Sequence, residues 1–155
     1  MWSIGKLGDG SADSASLVVL ADDEPAILDT LQFVLEAEGF SVLTFGNGVD
    51  AMRAIEDEQP KVAVLDLLMP GLPGHEICRL VRLREELART SLVIMSALPV
   101  DEARKRLREA RPDFFLEKPF EHGELVTVVG RAIAGVSLEG KGSSRLMPGI
   151  PASLS

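Results

Sequence analysis

Five short runs of β-branched and other apolar residues recur along the chain, each followed by a longer stretch whose apolar residues fall at helical spacing. That alternation predicts repeated βαβ units, and such units need a parallel sheet covered by helices, an α/β fold. The predicted strands are Leu17 to Ala21, Phe40 to Phe45, Val62 to Leu65, Ser91 to Met95 and Phe114 to Glu117. The first helix starts at Pro25, which suits a first turn, carries Ile27, Leu28, Leu31, Val34 and Leu35 inward, and stops at Gly39. The second, Val49 to Glu58, follows a Gly46-Asn47-Gly48 turn and buries Ala51, Met52, Ala54 and Ile55. The third runs from His75 to Leu87 and buries Ile77, Leu80, Val81 and Leu87. The fourth, Asp101 to Ala110, is poorly anchored, because Arg104, Lys105, Arg106 and Arg108 leave only Ala103, Leu107 and Ala110 for the core. The fifth, Glu121 to Ala134, carries Leu125, Val128, Val129 and Ile133 on one face.

Residues 1–16 are rich in Gly, Ser and Asp, and residues 135–155 in Gly, Ser and Pro, so both ends are expected to be flexible, leaving one domain over 17–134. With no second domain after Ala134, the expectation is a stand-alone unit that signals by protein contact. The net charge of −8 argues against nucleic acid as a partner, since phosphate backbones select basic patches. No apolar stretch is long enough for a bilayer and the N-terminus has no secretory pattern, so a cytoplasmic location with no membrane contact is expected. The single cysteine, Cys78, is read as a small half-buried hydrophobe, and His75 and His122, at helix starts without metal-ligand spacing, as surface residues.

Acids stand at the ends of these strands. Asp66 closes the apolar run KVAVLDL and is followed at once by the turn MPGLPG. Asp22 and Asp23 end the first run, and Lys118 lies just past the last, in DFFLEKPF. In a parallel sheet these ends meet on one edge, where open α/β folds place their sites. A carboxylate there is costly to bury unless something pairs with it. Clustered oxygens of this kind suit a hard divalent cation, and Mg²⁺ takes one or two carboxylates plus waters and phosphate oxygens. An ionised carboxylate beside Mg²⁺ can attack a phosphoryl group, with Lys118 and the hydroxyl of Ser96, in VIMSA, stabilising the equatorial oxygens. Whether the Lys118–Pro119 bond is cis or trans is open at this stage.

Asp22-Asp23, Asp66 in LDLLMPGLPG, Ser96 in MSA and Lys118-Pro119-Phe120, in that order and on those strand ends, resemble the receiver domain of bacterial two-component response regulators. The resemblance covers Leu17 to Ala134. It implies a doubly wound five-stranded parallel sheet of flavodoxin-like order 2-1-3-4-5, with helices on both faces. It implies that Asp66 is the phosphoacceptor, served by a sensor histidine kinase, a phosphotransfer protein or a small phosphodonor. Mg²⁺ would be held by Asp22, Asp23, Asp66 and the Leu68 backbone carbonyl. Lys118 would bind the phosphoryl group, and Ser96 would move to donate to it while Phe115, at the aromatic switch position, turns inward. Partner binding would then change at the fourth helix, fifth strand and fifth helix, which is also the first surface to inspect for a homodimer.

Three features depart from the family pattern. Ala110-Arg111-Pro112-Asp113 replaces a Gly-Ala turn, Phe115 replaces a commoner tyrosine, and Ser96 a commoner threonine. Leu68 and Leu98, two positions beyond Asp66 and Ser96, flank the path of attacking water in the family, and two apolar residues there predict slow self-dephosphorylation. The alternatives are a receiver-shaped binding scaffold that works without phosphorylation, and a small enzyme or cofactor carrier. The last is disfavoured because Asp22, Asp23 and Glu24 occupy the place of a phosphate loop and no G-x-S-x-G occurs.

Overall fold

The computed structural model describes residues 16–135, so the two ends expected to be flexible lie outside it apart from Ser16 and Gly135. The elements are β1 (Leu17–Ala21), α1 (Pro25–Ala37), β2 (Ser41–Phe45), α2 (Gly48–Glu58), β3 (Val62–Asp66), α3 (Gly74–Arg82), a 3₁₀ turn (Glu85–Leu87), β4 (Ser91–Ser96), α4 (Val100–Arg106), β5 (Phe114–Glu117) and α5 (His122–Ala134). All five strands pair in parallel in the order β2-β1-β3-β4-β5. The expected doubly wound order is therefore present.

Strand alternation sorts the core into two layers. Val19, Ala21, Ala63, Leu65, Leu92, Ile94 and Phe115 face α2, α3 and α4, while Val18, Leu20, Val62, Val64, Val93, Met95, Phe114 and Leu116 face α1 and α5. Every residue of β3 is buried, as expected of a central parallel strand covered on both faces. Burying Phe114 and Phe115 completely contributes about 2–3 kcal/mol each by area. β1 lies between β2 and β3, so the chain leaves β1 for one side and returns to the other, and a crevice opens at the carboxyl ends of β1 and β3.

The structure corrects several local expectations. The third helix stops at Arg82. Arg84 falls four residues after Leu80 and three after Val81, so a continued helix would aim a guanidinium at the core. The chain instead turns extended at Arg84, whose guanidinium reaches Glu56 at 2.6 Å, and the 3₁₀ turn buries Leu87. The fourth helix is also shorter than expected, ending at Arg106, although Ala103, Leu107 and Ala110 are all buried as anticipated. Cys78 is fully buried, not half-buried, and burial pushes its thiol up to about 12, which makes it an inert core residue. Of the two histidines expected at the surface, His122 is exposed, but His75 is half-buried with its Nδ1 enclosed and unpartnered. Burial holds the His75 pKa below its ordinary value, with Arg106 adding to the effect and Glu76 and the Leu67 backbone opposing it.

In the 110–113 loop, Arg111 takes a left-handed backbone at φ 51°, the conformation a glycine would supply without strain. Arg82 reaches across to this loop, donating to the Arg111 carbonyl at 2.6 Å and to Asp113 at 3.0 Å, and Asp113 in turn accepts the Leu92 N–H at 2.8 Å.

Candidate functional site

Each acid of the crevice is delivered by a strand end. Asp66 is the last residue of β3 and pairs in register with Met95 of β4. Asp22 follows β1 directly, and its N–H donates to the Phe45 carbonyl at 3.1 Å, which continues the β1–β2 ladder one step past the strand. Carboxylate oxygens of Asp22, Asp23 and Asp66 all lie within 4.8 Å of one another. Their surroundings differ. Asp22 is fully buried, Asp66 is 8% exposed, and Asp23 stands open to solvent.

A buried carboxylate needs partners, and Asp22 has two. One oxygen accepts the Glu24 N–H at 2.9 Å, and the other accepts from Lys118 Nζ at 2.7 Å. The same ammonium stands 3.4 Å from Asp66. Lys118 arrives from the loop after β5, whose bond to Pro119 is cis, and its N–H donates to the Ser96 carbonyl at 2.8 Å. The structure thus brings Asp22, Asp23, Asp66 and Lys118 together from three strand ends.

The electrostatics follow from that geometry. Burial, reinforced by the charge of Asp22 and to a lesser degree Asp23, raises the Asp66 carboxyl to about 6 against the pull of Lys118. For Lys118, burial acts to lower the pKa, but the hydrogen bond to Asp22 and the charges of Asp66 and Asp22 together outweigh it and hold the ammonium above its usual value. Three acids share one base here. The excess negative charge and the all-oxygen donor set fit a hard divalent cation.

Ser96, expected just past its strand, is the last residue of β4 and is 1% exposed. Its hydroxyl oxygen accepts the Leu98 N–H at 2.9 Å, a turn that ties down the start of the β4–α4 connection. Phe115 is fully buried in the layer that also holds Ala103 of α4 and Leu107 just after it. Leu68 is 43% exposed, and Leu98 is half-buried.

Two residues that sequence reasoning passed over also shape the site. A Cβ at Gly74 would sit 2.3 Å from the Asp66 carbonyl oxygen, and one at Gly48 only 1.7 Å from the Leu72 carbonyl oxygen. The Asn-Gly pair and the PGLPG spacing were visible as turn signals, but which backbones those glycines admit depends on contacts distant in sequence.

A parallel α/β sheet with an acidic, lysine-bearing crevice at its β1/β3 edge defines a phosphoacceptor class of domain. Residues 18–130 match the response regulator receiver domain family, and the chain belongs to it. Among solved structures, the BeF3-activated DrrB receiver domain is 30% identical, covers 76% of this chain and 97% of its own, and superposes with a TM-score of 0.67. The receiver domain of a Francisella response regulator is 25% identical over 79% of this chain and 99% of its own, with a TM-score of 0.71. The receiver domain of the sensor histidine kinase PA1611 from Pseudomonas aeruginosa PAO1, solved with magnesium in its active-site cleft, shares the fold at 24% identity and a TM-score of 0.72, covering 77% of this chain and 98% of its own. Among the described residues, no helix is long and apolar enough to cross a membrane.

Proposed function

We propose that residues 17–134 work as a phosphorylation-controlled switch in which Asp66 accepts a phosphoryl group from the phosphohistidine of a sensor kinase or phosphotransfer protein. The observation that carries this is the meeting of three carboxylates within 4.8 Å with one lysine that contacts two of them. Asp22, Asp23 and Asp66, with the Leu68 carbonyl, would hold Mg²⁺. The ion, when bound, supplies positive charge that keeps Asp66 ionised and screens the incoming phosphate.

A carboxylate oxygen of Asp66 attacks phosphorus as the phosphorus–nitrogen bond of the donor breaks, and the departing imidazole keeps that bonding pair and takes up a proton. Lys118, already charged and held by Asp22, needs no reorganisation to face the phosphoryl oxygens. Ser96 Oγ accepts the Leu98 N–H and keeps its own O–H to donate, and a reach toward the phosphoryl oxygens would draw the hydroxyl away from Leu98. That movement would free the Leu98 N–H and loosen the connection into α4, whose Ala103, with Leu107 just after the helix, shares a layer with Phe115. Repacking there is how the α4, β5 and α5 surface would change its affinity for a downstream protein.

Intact mass after treatment with a small phosphodonor tests the reading. One phosphoryl group should be added with Mg²⁺ and essentially none without it, and Asp66→Asn should stay unmodified. Labelling that persists in Asp66→Asn would remove Asp66 from its role. Apolar Leu68 and Leu98 supply no group to orient a water, so the phosphorylated form should persist for minutes or longer at about 25 °C. A half-life of seconds contradicts that part.

A further inference from the structure

The loop after Asp66 is clamped at both ends, and one clamp belongs to a helix that contributes nothing to the chemistry. At the near end, the Gly74 N–H donates to the Leu67 carbonyl at 2.9 Å, and the missing side chain lets α3 start against the Asp66 carbonyl. At the far end, the Gly48 N–H at the start of α2 donates to the Pro70 carbonyl at 3.1 Å. The Leu72 carbonyl occupies the place where a Gly48 Cβ would be, with a separation of only 1.7 Å if one were added. Gly71 completes the contact: its φ is +83°, and a Cβ there would meet Val49 Cγ2 at 3.0 Å. The Leu72 N–H folds back onto the Pro70 carbonyl at 2.9 Å, so residues 70–72 form a tight turn seated on the first residues of α2.

We propose that Gly48 is a positioning residue for phosphotransfer: its bare Cα seats the 70–72 turn, and that seat fixes the course of the backbone between Asp66 and Gly74. This rests on the reading of Asp66 and the Leu68 carbonyl as ligands of Mg²⁺. Between the two clamps the chain holds Leu67, whose N–H is anchored to the Met95 carbonyl at 2.8 Å, then Leu68, Met69 and Pro70. Leu67 and Met69 are buried while Leu68 is exposed, so the path is threaded through the core surface and cannot slide without moving Leu68. A methyl on Gly48 must push the Leu72 carbonyl away, because backbone cannot yield as a flexible side-chain tip would. Part of that displacement passes to Leu68. Direct ligands need placement within about half an ångström, so a small shift there costs affinity.

Gly48→Ala should weaken Mg²⁺ binding by isothermal titration calorimetry about tenfold and slow phosphorylation at fixed subsaturating Mg²⁺ by a similar factor, with much of the rate recovered at saturating Mg²⁺. Ile55→Val, a trim of a fully buried residue on the same helix, is the stability control and should leave Mg²⁺ affinity unchanged. A folded Gly48→Ala that binds Mg²⁺ as the wild type does, whatever its melting temperature, overturns the proposal and leaves Gly48 a packing residue. Should Gly48→Ala not fold, Gly71→Ala decides: weakened Mg²⁺ binding supports the clamp and unchanged binding overturns it. If the wild type itself binds no Mg²⁺ and takes no phosphate, the failure lies in the proposed function; normal wild-type labelling with an inert Gly48→Ala isolates the failure here.

Discussion

The crevice at β1 and β3 and the helix α4 stand only a short connection apart, yet they are built on opposite principles. In the crevice, the Lys118–Asp22 pair spans 2.7 Å with Asp22 fully buried, the Glu24 N–H donates to the carboxylate, and the Asp22 N–H, donating to the Phe45 carbonyl, fixes the backbone that carries it. On α4, the pairs Arg104–Asp101 and Arg106–Glu102 span 3.9 and 3.8 Å with side chains that are 40% exposed or more. Moving the crevice means uncovering a buried charge, whereas moving α4 and the turns after it costs a few screened surface contacts and the apolar anchors Ala103, Leu107 and Ala110. Under the proposed function, that inequality would let the domain hold the reacting atoms still while reporting their state elsewhere. Ser96 joins the two regions, because its hydroxyl holds the first turn of the connection.

The strongest way to break this comparison is to remove the buried cation. Lys118→Met keeps volume but strands Asp22, and metal-free unfolding in urea at pH 7.5 should show a loss of about 3 kcal/mol. A loss near zero would mean that the crevice is as soft as α4. Next in size is Asp66→Asn, which should stabilise the metal-free protein. The folded carboxyl is raised to about 6 from an unfolded value of 3.8, so Asp66 favours folding most when protonated, and that contribution is present below about pH 4 and lost as the pH rises through 6. The variant has no such loss, so its advantage should approach about 3 kcal/mol at pH 7.5 and nearly vanish by pH 4. Parallel urea curves across that range check it; an advantage that grows toward acid would reverse the electrostatic picture.

Arg82→Ala sharpens the boundary between the regions, because it removes the donor to the Arg111 carbonyl and the partner of Asp113 while leaving the three acids of the crevice and α4 intact. The partly exposed contacts justify about 1 kcal/mol, read from the shift in thermal midpoint. The smallest effect belongs to α4 itself. Arg106→Ala should change stability by less than about 0.5 kcal/mol, and a larger loss would show that α4 is held by its charges after all.

Much of this was readable before any coordinates. The βαβ alternation gave the strand cores, since fully buried parallel strands show as short continuous apolar runs such as VAVLD, and the acids at their ends pointed to one edge. Helix ends were less legible. Arg84 ended α3 early because of where it would have faced, a matter of which side of the helix the sheet already occupied. Nor did His75 announce its partial burial, which depends on α4 and the backbone of Leu67 lying beside it.

The sequence by itself determined the class of fold and the inventory of the site, because hydrophobic period and strand-end chemistry are local properties of the chain. Only the tertiary structure decided how the inventory is used: Lys118 pairs most closely with Asp22, Ser96 is engaged with Leu98, and Gly48 lies under the loop that follows Asp66. Those outcomes turn on ångström-scale approaches between segments far apart in the chain, and no local preference encodes a distance of that kind.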